Sequence, residues 1–278
     1  MKSSSYIILN AQLQTLSSDH ALHLRSFLPS EMQQELNKHP SDVSGISTDA
    51  FSDNFIINYV HYSWFLPTLK MYEPNEIALF LAVLPSQTRE HLSNHLKSKE
   101  VADLKTPAKS FLELILQVSL IGEEVTILPP KYLPSSPLNI LADLEKNDLI
   151  RLISHLALYD LAKEIKQIVD PELLKQIDQA LQTSEKKYLK KILKREENIP
   201  YQKMNLKGLS QESFRNQLHK RGLARLAAAL TGQHDDLIWY VTHRLDIGRG
   251  NALMKAIDKK NPAHVVKVMV DSVMEALK

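Results

Sequence analysis

Two histidines four positions apart, His91 and His95 in HLSNH, are the chain's nearest approach to a metal-binding pattern. On a helix that spacing puts both imidazoles on one face, as a zinc site needs, but no third ligand follows at helical spacing. A solvated helix face is the better reading, and no metal or other cofactor is implied. The adjacent acids Glu123 and Glu124, and Asp235 and Asp236, could be an acid–base pair only if both pointed at one substrate. Neighbours in sequence diverge on a helix, so they read instead as first-turn acids at helix N-termini. Phosphate loops, dinucleotide fingerprints, HExxH and GxSxG are all absent from the sequence. The chain therefore reads as non-enzymatic, with no small-molecule substrate.

Cationic chemistry is concentrated in two places. The run KKYLKKILKR, Lys186 to Arg195, alternates with Tyr188, Leu189, Ile192 and Leu193, which form an apolar stripe flanked by lysines. A solvated amphipathic helix explains it without a ligand. The stretch THRLDIGRGNALMK places Gly248 and Gly250 around Arg249. A tight turn is expected there, with Arg249 and nearby Arg244 presented to a partner.

The elements that would position these groups repeat. EPNEIALFLAVL, Glu73 to Leu84, is echoed by EKNDLIRLISHL, Glu145 to Leu156, and more loosely by LARLAAAL from Leu223. In register, Ile77, Leu81 and Leu84 fall on Leu149, Ile153 and Leu156, then on Leu223, Ala227 and Leu230. Apolar self-similarity at a long, near-constant period marks stacked helical units, none of which can bury its own face alone. Ile77, Leu81, Leu84, Leu149, Ile153, Leu156, Leu226 and Leu230 are the expected core. Trp64 with Phe65, and Trp239 with Tyr240, are expected there too.

Composition agrees with an all-α chain, since only seven glycines accompany 44% hydrophobic residues and long stretches of good helix formers. Cysteine is absent, which excludes disulfides and thiolate metal sites. The 34 basic and 32 acidic residues nearly cancel, removing the broad positive field of a nucleic-acid binder. No apolar run suits a signal peptide or a membrane span, so a soluble cytoplasmic protein is expected. Breaks at the four-proline segment Gly122 to Pro137 and at Arg195 to Ser210 divide the chain. The expected organisation is a partner-binding N-terminal segment 1–49 and helical units 50–127, 128–200 and 201–278. Thr106-Pro107, Ser136-Pro137, Asp170-Pro171 and Asn261-Pro262 read as helix starts, with a capping oxygen followed by proline at the first helical position.

From Tyr72 onward the chain resembles the middle and C-terminal parts of the flagellar motor-switch protein FliG. That family carries a Glu-His-Pro-Gln-Thr motif, an apolar helix and a Leu-Pro turn, and YEPNEIALFLAVLPSQTREHL is similar, with Pro74 at the proline position. LARLAAALTGQHDDLIWYV, GRGNALMKAID and NPAHVVKVMVDSVMEALK follow the order of the family's C-terminal helices. The resemblance implies an armadillo-like right-handed superhelix and a docking surface at Tyr72, Glu73, Pro74, Asn75 and Glu76. It also implies partners among the proteins of a secretion or flagellar basal body, with membrane contact only through them. Two departures matter. IPYQ, Ile199 to Gln202, stands where the family has a Met-Phe-x-Phe linker. The helix matching the torque helix, Ile247 to Asp258, reads IGRGNALMKAID and is too sparsely charged to push against a stator, so it is expected to pack internally. A stationary relative is implied, similar to the SctK accessory proteins of type III secretion, linking the inner-membrane ring to the sorting platform. An RNA-associated protein using the basic helices is the alternative.

Overall fold

A computed structural model describes residues 3–14, 16–38, 55–98, 101–122, 126–195, 197, 199, 203, 206, 208–257 and 261–278. All regular structure among them is helical. The chain forms two compact units, Met1–Pro134 and Ser135–Lys278. Their border lies inside the proline-rich span, where helix propagation fails for want of backbone donors. No second border separates helices near residue 200, because the helices on either side of that break pack on one another.

In the first unit, α1 (Ser3–Gln14), α2 (Ser18–Ser26) and α3 (Ser30–Lys38) close a small core of Tyr6, Leu13 and Leu36. Asn10 sits inside it, donating to Leu36 O at 2.6 Å and accepting from Arg25 at 3.0 Å, so its amide is not left unpaired. Then come α4 (Phe55–Tyr59), α5 (Leu66–Leu69), α6 (Pro74–Val83), α7 (Ser86–Leu96) and α8 (Thr106–Ile121). Helix α6 packs on α7 and α8 and buries Ile77, Phe80 and Leu81, with Leu84 just beyond its end. This is the first of the three repeated helices, with its register buried as expected.

The second unit is built on α9 (Lys146–Ile165), with α10 (Pro171–Ala180), α11 (Thr183–Ile192), α12 (Gln211–Leu230), α13 (Asp235–Arg244), α14 (Ile247–Ala256) and α15 (Ala263–Ala276). Helices α11, α12 and α15 all pack on α9, and α13 and α14 pack on each other. Leu149, Ile153, Leu156, Leu223, Leu226, Ala227 and Leu230 are buried as the repeat requires. Helix α9 is buried all round from Leu156 to Ala162, as befits a helix surrounded by others.

Several local expectations are corrected. The third repeat does not start a helix at Leu223, because α12 begins at Gln211 and runs through Gly222 without interruption. The tight turn at Gly248 and Gly250 is absent too; both lie inside α14, whose start is capped by Asp246 accepting from Arg249 N at 3.1 Å. Asp170 and Ser136 cap as expected, accepting from Glu172 N at 3.0 Å and Leu138 N at 3.2 Å. Thr106 and Asn261 do not, since Lys105 and Pro262 hold those cap positions and Asn261 instead donates to Thr231 Oγ1 at 3.0 Å. Phe65 and Tyr240 are core residues, whereas Trp64 and Trp239 are only half-buried. No described helix is long and apolar enough to cross a membrane.

Candidate docking site

Tyr72 to Glu76 form one surface at the start of α6. Pro74 opens the helix, and the Glu76 carboxylate accepts from Glu73 N–H at 2.9 Å, which satisfies an otherwise orphaned donor. Half-buried Tyr72 is held against Phe80, with ring centroids 4.7 Å apart. Ile77 and Ala78 point into the core, so Glu73, Pro74, Asn75 and Glu76 are left exposed in a fixed arrangement. Opposite them, α7 ends where Lys97 takes a left-handed conformation at φ 55° and Ser98 N–H closes back on Ser93 O at 3.2 Å.

Between these two helix ends lies an open groove of about 630 Å³, lined by Pro74, Asn75, Ile77, Asn94, Lys97 and Ser98 among others. Its wall is amide, hydroxyl and aliphatic, with Lys97 as the cation among the lining residues. Such a lining can hold a peptide through hydrogen bonds and modest apolar contact.

His91 and His95 do share one face of α7, and that face is occupied by an aromatic ring. Tyr62 lies 4.8 Å from the His91 ring, stacked, and 5.1 Å from that of His95, whose Nδ1 bonds His91 O at 2.8 Å. Among the described residues there is no cluster of three or more metal-ligating side chains. Asp235 and Asp236 lie in the first turn of α13, as read from the sequence. Glu123, Glu124 and Asp258 lie outside the described residues.

Arg244 and Arg249 belong to the second unit. Arg244 is half-buried in the last turn of α13, where its charge suits the carbonyl end of the helix. Arg249 is not held out: Nη1 bonds Asp246 Oδ2, and Nε donates to His219 Nε2 at 3.1 Å. Burial works to raise the Asp246 pKa, but hydrogen bonds and charge from Arg249 outweigh it and hold the carboxyl below its usual range. Helix α14 buries Gly250 and Leu253 and exposes Asn251, Ala252, Met254, Lys255 and Ala256, so the expectation that it mainly packs internally is wrong. Its buried positions pack on α12 and α13.

The most elaborate polar arrangement escaped the sequence reading. Arg225 is 3% exposed and donates to Asp160 Oδ1 at 2.7 Å and to both Glu197 oxygens at 2.7 Å. Its guanidinium lies 4.8 Å from the Tyr159 ring centroid. Lys163, 3.5 Å away, and Ser272, donating at 3.1 Å, complete the shell of Glu197. Tyr159 bonds Tyr188 at 3.0 Å and donates to Glu275 at 3.1 Å, and Glu275 also pairs with Arg195. Burial, then hydrogen bonding, pushes the Tyr159 phenol well above its ordinary range, and burial raises Tyr188 too, so both stay protonated. The available signal was a lone arginine inside the apolar run LARLAAAL; its partners lie too far along the chain for spacing to reveal.

No protein-family model, curated protein or solved structure matches this chain.

Proposed function

We propose that the protein is a non-enzymatic helical adaptor at the cytoplasmic base of a type III secretion or flagellar apparatus, linking an inner-membrane ring to a sorting platform or switch complex. The groove beside Pro74 and Asn75 carries this reading. Four of the residues that resemble the family's docking motif, Glu73 to Glu76, are left exposed at the helix start, beside a peptide-sized recess. The sparsely charged α14 accords with a stationary role. The RNA alternative is weaker, because the basic run is partly neutralised: Lys186 pairs with Asp178 at 2.8 Å, and Lys191 and Arg195 pair with Glu275. Leu189 and Ile192 of the same helix are buried, which makes it a packed amphipathic helix.

The test is affinity purification of the full chain from its native cells, with mass-spectrometric detection of ring and platform proteins. Asn75→Arg and Asn94→Arg fill the groove without touching the core, and each is expected to lose one of the two partner classes. Recovery of both classes in both variants would overturn the assignment of the groove. Recovery of no secretion or flagellar protein by the wild type would overturn the adaptor reading itself.

A further inference from the structure

Helices α9, α11, α12 and α14 converge on a cavity of about 220 Å³ in the second unit, lined by Ser154, Glu185, Arg215, Asn216, His219 and Arg249. In liquid terms that is room for roughly seven water molecules. Arg215 and His219 stand one turn apart on α12 and share a face, with exposed Asn216 beside them. Arg215 Nη1 donates to both oxygens of the buried Glu185 at 2.7 Å. Its Nε and Nη2 have no protein acceptor among the described residues, and neither has Nη2 of Arg249.

His219 accepts from Arg249 at Nε2, so the neutral ring carries its proton on Nδ1 and is itself a donor. Burial and the neighbouring guanidinium both lower its pKa, which keeps it neutral. Lys146 acts on Asp246 through space. The lining itself carries Arg215 and Arg249 against Glu185, and Asp246 pairs with Arg249. The recess is thus rich in uncommitted donors, and its one lining carboxylate is already occupied by Arg215.

We propose that this cavity is an oxyanion site that takes one phosphate or carboxylate group on the free N–H groups of Arg215 and Arg249, with the Asn216 amide at its rim. Guanidinium groups suit such planar or tetrahedral oxygens because their donors are fixed in a fork. A free inorganic ion and an acidic side chain of a protein present the same oxygens. The site is independent of the adaptor reading, since the groove and the cavity belong to different units and are read out separately.

The experiment uses the full chain and follows the His219 ring signals by NMR. Inorganic phosphate is titrated in one arm and a blocked aspartate peptide in the other, at constant ionic strength held with chloride. Saturable movement with phosphate alone identifies a free ion, and movement with the peptide identifies a protein carboxylate; either supports the site. Absence of movement with both probes overturns it. Asn216→Asp and Asn216→Lys change the rim charge without touching an ion pair. They are expected to weaken and to tighten binding, each on the order of tenfold for a unit charge a few ångströms away in partly screened surroundings. A folding defect would weaken both variants, and equal affinities in the two would overturn the location.

Discussion

Gly222 is the point at which α12 comes closest to α9, and replacing it with alanine is the sharpest test of the packing. A Cβ built on Gly222 falls 1.9 Å from Ile153 O, 2.7 Å from Ile153 C and 2.8 Å from Ile153 Cγ2. The first two are backbone atoms, so no rotamer change relieves the overlap. To reach an ordinary contact of about 3.4 Å the helices must separate by roughly 1.5 Å, which loosens the layer of Leu149, Leu156, Leu223 and Leu226 around the crossing. Overpacking of this kind costs about 1–3 kcal/mol, and a shift of backbone belongs at the upper end. Alanine recovers about 1 kcal/mol through helix propensity, leaving a net loss near 2 kcal/mol. Denaturant unfolding followed through Trp239, in a Trp64→Phe background so that only the second unit reports, measures it. Gly248→Ala is the control: it meets nothing nearer than Asp246 Oδ1 at 3.4 Å and should be neutral or slightly stabilising. Gly222→Ala at or above wild-type stability would refute the close crossing.

Two further predictions concern buried charge. Arg225→Met leaves Asp160 without its cation in the interior and should cost about 3–5 kcal/mol in the same unfolding assay, while the double variant Arg225→Met, Asp160→Leu should recover much of that; equal stability of wild type and single variant would refute the network's burial. Burial lowers the His243 pKa to about 4 from 6.5, so the unfolded chain takes up the proton first: stability is complete above pH 6.5 and falls by about 3 kcal/mol as pH drops towards 4. His243→Gln should flatten that part of the urea midpoint against pH curve, and an unchanged slope would contradict the assignment.

The repeated helices were legible because apolar periodicity reports which face must be buried, and this held at Leu149, Ile153 and Leu156 as at Ile77 and Leu81. Their partition was not. Gly222 lowers helix propensity, yet α12 continues through it, because tertiary packing on α9 rewards the missing Cβ more than local preference penalises it. Asp246 was likewise invisible as a cap; with it in place, Gly248 is simply an early position of α14. The break near residue 200 looks like a linker in composition, but Lys163 donates to Ile199 O at 3.2 Å and Lys166 to Arg195 O at 3.1 Å. Those anchors come from α9, about thirty positions earlier in the chain, and no local pattern encodes them. Of the candidate sites, the exposure of Glu73 to Glu76 followed from the helix register alone. Arg249 did not follow, because His219 reaches it only once α12 and α14 are packed.

What α14 presents bears on whether this unit could slide against another protein. Sliding needs contacts that form and break within each step, and exposed charge pairs suit it: each is worth less than about 1 kcal/mol and their attraction reaches a partner before contact. The exposed face of α14 carries Lys255 as its one described charge, beside Ala252, Met254 and Ala256. Apolar contacts act only once water is expelled, and a few methylene groups at about 0.8 kcal/mol each already hold longer than a charge pair. A helix so composed favours a partner that stays. The network on Glu197 and Glu275 adds to this, since Ser272 and Glu275 of α15 join Arg225 of α12 and Tyr159 of α9 through them. Charge reversal at Lys255 would therefore leave a docked partner in place, whereas a substituent that splits α9 from α12 would disturb every surface the second unit offers.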